Sequence, residues 1–257
     1  MTDTSIPKPS LGVGGIIGEA FSILFGKFVP IVLAAFLPLL ITTFLSIAVL
    51  GSSVALGQSE APEDFENFSL ASFGILLLLQ LVAMAVGTAA VVQIAYDAKL
   101  GRPIRLGASF SNAISQIVPI VVLSIAAAIL VYLGMIALIL PGFYLYAMWS
   151  VLVPAIVVER VGFRGLGRSA ALTKNYRWPV LGTLVLVVII MMVVSMVVQL
   201  IMGVVLSSAG VAVGVLFSAL TNAVPYGFFS VAIALIYARL REIKEGVSVD
   251  SLVEVFA

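Results

Sequence analysis

Six long apolar runs dominate this sequence and limit the folds that it can adopt. A helix needs about 20 mostly apolar residues to cross the roughly 30 Å hydrocarbon core of a bilayer. Of the residues, 62% are hydrophobic and 10% charged, against about 45–50% and 25% in soluble domains. The sequence therefore predicts an all-α integral membrane protein with six transmembrane helices. The runs are Pro30–Leu50, Leu70–Tyr96, Pro119–Leu140, Gly142–Val158, Pro179–Leu206 and Val211–Ala238.

The fourth run is the shortest of the six. A tight turn at Leu140-Pro141-Gly142 is predicted to separate it from the third run. Two interpretations remain open on length alone: a full span, or a re-entrant or buried half-span.

The cationic residues predict how the chain is oriented in the membrane. All thirteen Lys and Arg residues lie in the first segment, in alternate loops or after the last run. The positive-inside rule places that side, with both termini, in the cytoplasm. On the opposite face the loop Gly51–Ser69 carries four acids and no base, and tight turns are predicted at Pro141-Gly142 and Ser207–Gly210. Because Met1–Ser10 lacks the pattern of a signal peptide, we expect insertion by the first, uncleaved span.

Three thirteen-residue segments resemble one another and occupy the same place in the predicted topology. Each has Gly first, Ala or Ser third and Pro thirteenth, and each precedes a pair of spans. They are Gly18–Pro30, Gly107–Pro119 and Gly167–Pro179. The pattern predicts three repeated units, at about residues 10–98, 99–160 and 161–245, related by an axis along the membrane normal.

Each unit is predicted to begin with an amphipathic helix in the membrane interface. Proline lacks an N–H and suits a first helical turn, so it should separate this helix from the span. The tail, residues 246–257, is predicted to have a C-cap at Gly246 and a short amphipathic helix from Ser248. The apolar stripes predicted for the three interfacial helices are Ile17, Phe21, Leu24 and Phe28; Leu106, Phe110, Ile114 and Ile117; and Phe163, Leu166, Ala170 and Thr173.

Five bases form the first group of candidate site residues. Near an anionic membrane surface each Lys or Arg contributes about 1 kcal/mol. They either orient the protein and hold it to the inner leaflet or form a specific phosphate or headgroup pocket. The five are Arg105, Arg164, Arg168, Lys174 and Arg177.

Charged residues at the ends of the spans form a second group. Asp97 and Glu159 close the second and fourth spans, and Arg239 with Glu242 lies at the end of the sixth. Because bases lie nearby, we expect interfacial ion pairs, with acid–base chemistry as the alternative.

Polar side chains within the spans form a third group, because no Asp, Glu, Lys or Arg lies near the middle of any span. Such amides either pair with neighbouring helices or line a path for a substrate. They are Gln80, Gln93, Gln199 and Asn222.

The chain contains no cysteine and no histidine. Disulfides, ligation of zinc or haem through His or Cys, and Ser-His or Cys-His catalytic pairs are therefore excluded. We predict no catalytic residue, no metal site, no cofactor and no nucleic-acid partner.

The run Val157–Trp178, "VVERVGFRGLGRSAALTKNYRW", resembles the signature of the glycerophosphoryl diester phosphodiesterase membrane-domain family and its stand-alone relatives. The Pro-Gly hairpin in Leu140–Trp149 and the ending Tyr237–Ser248 also resemble that family. In the fused relatives the phosphodiesterase chemistry belongs to a separate soluble domain, so the resemblance implies no catalytic activity here. It also implies a bacterial origin and hence the inner membrane.

Three functions remain open. The first is a non-enzymatic membrane module, either an accessory or scaffold subunit or a lipid-associated protein, which binds anionic headgroups, another membrane protein or a second copy. The second is a carrier of a lipid or amphipathic molecule without ion coupling, which requires the four amides to line one cavity. The third is a lipid-modifying enzyme, which requires Asp97, Glu159 and Arg168 to meet in one pocket.

Overall fold

The computed structural model describes residues 9–50, 70–206 and 211–246. The predicted loop Gly51–Ser69, the turn Ser207–Gly210 and the tail helix from Ser248 lie outside these residues. Where the chain is described, it consists of α-helices, one 3-10 turn and short connections, without a strand. The helices are α1 (Val13–Gly26), α2 (Phe28–Leu50), α3 (Leu70–Lys99), α4 (Leu106–Ser115), α5 (Ile117–Ala137), α6 (Ile139–Trp149), α7 (Leu152–Glu159), α8 (Gly165–Thr173), α9 (Arg177–Leu206) and α10 (Val211–Glu245).

Six stretches are long and apolar enough to cross a membrane, which agrees with the six predicted spans. They are Phe28–Val49, Gly74–Lys99, Ile117–Ala137, Ile139–Glu159, Arg177–Val197 and Val215–Glu245. The chain is therefore a multi-pass membrane protein. The last helix ends seven residues later than the predicted Ala238, and Gly246 closes it with a φ of 66° and an N–H that bonds the carbonyl of Glu242 at 3.0 Å. The C-cap predicted at Gly246 is thus confirmed.

The turn between the third and fourth spans lies earlier than predicted. Leu138 has an extended backbone, with φ −161° and ψ 136°, and α6 begins at the next residue. Pro141 and Gly142 therefore lie in the first turn of α6, where a missing N–H costs nothing. Gly142 also lets α5 approach closely, because a Cβ at this position would lie 2.2 Å from Cγ of Met135.

The fourth span consists of two helices, α6 and α7, separated by Ser150 and Val151. Together they cover the 21 residues Ile139–Glu159, or about 30 Å at 1.5 Å per residue. The span is thus longer than the 17-residue run in the sequence, and its length is that of a full crossing. The break leaves the carbonyl of Met148 at a helix end, where it accepts hydrogen bonds from Ser169 Oγ (2.9 Å) and Thr173 Oγ1 (3.1 Å).

A break in the helix precedes the proline in each of the three similar segments. In every case the proline is the third residue of the following helix, so it lies in the first turn as predicted. The residue at the tenth position ends the break, and its carbonyl accepts the first hydrogen bond of the next helix, from the residue four positions later. The tenth-position residues are Lys27, Gln116 and Tyr176, and the prolines are Pro30, Pro119 and Pro179.

The same two positions of each segment are buried against the bundle. They are the third and seventh, occupied by Ala20 and Leu24, by Ser109 and Ala113, and by Ser169 and Thr173. The buried face of each segment is narrower than the predicted apolar stripe, and most of its side chains are small. Phe163, which is 62% exposed, and Ile114 therefore face away from the rest of the protein.

Helix α10 forms the centre of the bundle. In the most apolar stretch of α10, 61% of the residues are buried, whereas the corresponding fraction in α5 is 17%. It packs against α1, α2, α3 and α9, and it carries the large buried side chains Phe228, Tyr237 and Leu240. The polar residues near its C-terminal end are consequently close to several other helices.

Candidate functional site

An acidic residue at the end of α7 is the centre of a polar network. Glu159 accepts two hydrogen bonds from Arg168, from Nε at 2.6 Å and from Nη2 at 2.9 Å. The hydroxyl of Tyr237 donates a third, at 2.7 Å. Arg168 and Arg241 both pair with Glu245, the latter at 2.9 Å. We call these five residues the Glu159 network.

Helical spacing and one tight turn assemble the Glu159 network. Tyr237, Arg241 and Glu245 recur every four residues, so they lie on one face of α10. The chain reverses through a 3-10 turn between α7 and α8, which brings Arg168 back beside Glu159. Hydrogen bonding to Glu159 raises the pKa of Arg168, so the guanidinium stays protonated.

The two bases of the network, Arg168 and Arg241, pair with its two acids, Glu159 and Glu245. Arg241 also donates a hydrogen bond to the hydroxyl of Tyr96 on α3, at 3.4 Å. We call the side of the bundle where α3, α7 and α10 end the basic side. The arrangement fixes these ends to one another and neutralises both carboxylates, which suits a structural clamp.

A second network on the basic side surrounds Asp97. Its carboxylate accepts a hydrogen bond from Gln93 at 3.0 Å, and Gln93 accepts one from Asn112 on α4, also at 3.0 Å. Asn112 in turn accepts a hydrogen bond from Arg160 at 3.1 Å. Among the described residues Asp97 has no ion-pair partner, so the ion pair expected for it is absent there.

Two further ion pairs lie beside α1. Lys99 pairs with Glu19 at 2.5 Å, and Arg239 pairs with Glu242 at 2.7 Å. All four side chains line a cavity of about 320 Å³ under the start of α1. Because each charge has its own partner, this cavity offers a ligand no unpaired charge.

The five bases predicted to contact lipid have different surroundings. Arg105, Arg164 and Lys174 are exposed. Arg168 is part of the Glu159 network, and Arg177 contacts the hydroxyl and ring of Tyr144, with its Cζ 4.4 Å from the ring centroid.

The four amides predicted to line one cavity are in separate places. Gln80 on α3 donates to Ser46 on α2 at 2.9 Å, and Gln93 belongs to the Asp97 network. Gln199 lines an open groove on α9, and Asn222 is exposed on α10. Gln80 and Gln93 thus pair with neighbouring side chains.

The structure also contains a polar contact within the spans that the sequence analysis missed. The hydroxyl of Tyr226 lies 2.6 Å from Thr88 Oγ1 and donates to the carbonyl of Met84 at 2.6 Å. Gly87 lies beside it, where a Cβ would be 2.7 Å from Cγ of Pro38. A tyrosine between Pro225 and Gly227 inside an apolar run was the available signal.

Asp97, Glu159 and Arg168 do not share one pocket. Glu159 and Arg168 pair with each other, whereas Asp97 lies in a cavity with Arg105 and Arg160. The two networks use neighbouring residues of α3, since Tyr96 contacts Arg241 and Asp97 contacts Gln93.

No family model, curated protein or solved structure matches the chain.

Proposed function

We propose that this chain is a non-enzymatic membrane module that holds its basic side against anionic lipid headgroups and serves as an accessory or scaffold subunit. We place it in the inner membrane of a bacterium, with both termini in the cytoplasm, in keeping with the distribution of bases and the family resemblance. One observation carries the proposal: among the described residues, ion pairing occupies four of the five acids and leaves eight of the twelve bases without an acidic partner.

The excess of positive charge follows from the described residues. These include twelve bases and five acids, and the ion pairs engage Lys99, Arg168, Arg239 and Arg241. At about 1 kcal/mol for each base near an anionic surface, several exposed bases together give a few kcal/mol of membrane attraction. The bases that have no ion pair within the described ranges are Lys27, Arg102, Arg105, Arg160, Arg164, Lys174, Arg177 and Lys244.

The proposal includes three repeated units of interfacial helix and transmembrane hairpin, at about residues 10–98, 99–160 and 161–245. Two parallels support it: each proline follows a helix break by the same number of residues, and the third and seventh positions of each segment are buried. The Glu159 network, together with the contact between Arg241 and Tyr96, then acts as a clamp between units, because Tyr96, Glu159 and Tyr237 belong to different ones.

A non-enzymatic role is supported by the way the charged groups pair. Acid–base catalysis needs a group that can exchange a proton with a substrate. Both oxygens of Glu159 already accept hydrogen bonds from Arg168, and Oε1 accepts one from Tyr237 as well. A carboxylate held in this way is suited to fixing helices.

The test is native mass spectrometry of the protein in nanodiscs that contain phosphatidylcholine and phosphatidylglycerol. We expect phosphatidylglycerol to be enriched around the wild-type protein. The enrichment should fall when Arg164, Lys174 and Lys244 are changed together to Gln. The matched control carries Arg164→Lys, Lys174→Arg and Lys244→Arg, which preserve the charges, and it should keep the enrichment.

Equal retention of both lipids by the wild-type protein would contradict the proposal. Purification from native membranes tests the accessory role in parallel. A stoichiometric protein partner that is lost in the Gln variant and kept in the control supports a scaffold subunit.

A further inference from the structure

A small polar cavity lies between α3, α4 and the end of α7 on the basic side. Its volume is about 230 Å³. One wall is lined by Arg105, which directly precedes α4, and by Ser109 and Asn112, which lie three residues apart on one face of α4. Gln93 and Asp97 from α3 and Arg160 after α7 line the rest.

Hydrogen bonds hold the base and the acid of this cavity apart. They run from Arg160 to Asn112, from Asn112 to Gln93 and from Gln93 to Asp97, at 3.0–3.1 Å. Each amide accepts on the side of the guanidinium and donates towards the carboxylate. The two charges are therefore fixed at opposite ends of a chain of side chains and do not neutralise each other by contact.

Arg160 adopts a backbone conformation that is unfavourable for its residue type. Its φ of 54° and ψ of 36° lie in the left-handed region, which a non-glycine residue rarely adopts. The hydrogen bond to Asn112 ties the side chain to the cavity. The left-handed conformation also ends α7, since helices commonly terminate in this way.

The charges in the cavity define the ligand that would complement it. Arg105 and Arg160 present guanidinium groups, which bind phosphate oxygens through paired N–H donors. Asp97 is a carboxylate without an ion-pair partner in the described ranges, and it disfavours a ligand that is only an anion. The complement carries a phosphate and, a few bonds away, a cation that donates hydrogen bonds.

We propose that this cavity binds a phosphoethanolamine group, with the phosphate between Arg105 and Arg160 and the ammonium at Asp97. The cavity volume of about 230 Å³ equals that of roughly eight water molecules at about 30 Å³ each, and this is enough for a phosphoethanolamine group. The inference deepens the proposed function by assigning one lipid-headgroup chemistry to a defined site. The ligand is either the headgroup of phosphatidylethanolamine or a soluble phosphoethanolamine ester.

The test measures lipid retention by the full-length protein in phosphatidylcholine nanodiscs that contain phosphatidylethanolamine or phosphatidylglycerol. We expect one phosphatidylethanolamine per chain to be retained at least tenfold over the other two lipids. Asp97→Asn should abolish the preference for phosphatidylethanolamine over phosphatidylglycerol, and Arg160→Gln should reduce retention of both. Arg102→Gln, which removes an exposed base that does not line the cavity, is the control and should retain phosphatidylethanolamine as the wild-type protein does.

Titration with soluble glycerophosphoethanolamine separates the two sources. Binding of the soluble ester as well as the lipid identifies the headgroup alone as the ligand, and retention of the lipid only identifies a membrane lipid. Equal retention of all three lipids without binding of the ester would overturn the inference, and so would an unchanged preference in Asp97→Asn. The two tests can fail separately, because the variant that tests the phosphatidylglycerol enrichment changes Arg164, Lys174 and Lys244, and none of these three residues lines the cavity.

Discussion

The Glu159 network makes a quantitative prediction for Glu159→Gln. The substitution keeps the shape of the side chain but removes the charge that faces Arg168 and Arg241. Loss of one partner from a buried ion pair costs about 3–5 kcal/mol. The side chains of Glu159 and Arg168 are 15% and 26% exposed, so the cost here falls to about 2–3 kcal/mol after allowing for solvent screening.

Thermal unfolding in detergent, followed by circular dichroism, measures this loss. For a chain of this length each kcal/mol lowers the Tm by roughly 2–4 °C, so a loss of about 2–3 kcal/mol in Glu159→Gln should lower it by about 4–12 °C. Glu242→Gln is the matched control, because it breaks an ion pair within one helix, to Arg239 three residues earlier. An exposed pair of that kind contributes about 0.2–1 kcal/mol.

A double variant tests whether the pair is the cause. Changing Glu159 and Arg168 together to Gln removes both charges, so the loss should be smaller than the sum of the two single losses. Equal effects of Glu159→Gln and Glu242→Gln, or strict additivity in the double variant, would refute the clamp.

Two further predictions concern the packing of the fourth span, and both use the same unfolding assay. Gly142→Ala should destabilise by about 1–3 kcal/mol, because the new Cβ overlaps α5, whereas Gly107→Ala, with open space around it, should be neutral or slightly stabilising. A similar Tm for the two alanine variants would contradict the close approach of α5 and α6. Changing Ser169 to Ala and Thr173 to Val removes both side-chain donors to the Met148 carbonyl and should cost about 1–3 kcal/mol. An unchanged Tm would mean that this carbonyl has another partner.

The number of spans could be predicted from the sequence because an apolar run of bilayer length has few other structures available to it. The position of the turn at Leu138 could not. Proline and glycine at 141 and 142 are typical of a turn, but they are equally compatible with the first turn of a helix. The close contact of Gly142 with Met135 depends on a neighbouring helix, and a local pattern carries no information about it.

The polar networks were predictable only in part. Glu159 and Arg168 were identified as charged residues near helix ends, and they do pair with each other. Their partners Tyr237 and Glu245 come from α10, which is about eighty residues further along the chain. Asp97 was expected to pair with a base, but the fold gives it an amide, because the bases nearest in sequence belong to other contacts or are exposed.

The central claim of this account is that the basic side lies in the cytoplasm, and labelling of single cysteines tests it most directly. The chain contains no cysteine, so Ser59→Cys and Lys174→Cys each introduce a single thiol that can be labelled. In intact cells a membrane-impermeant maleimide should label Ser59→Cys, and it should reach Lys174→Cys only after the inner membrane is opened. Labelling of Lys174→Cys in intact cells, with Ser59→Cys protected, would contradict the orientation and the proposed contact with the inner leaflet.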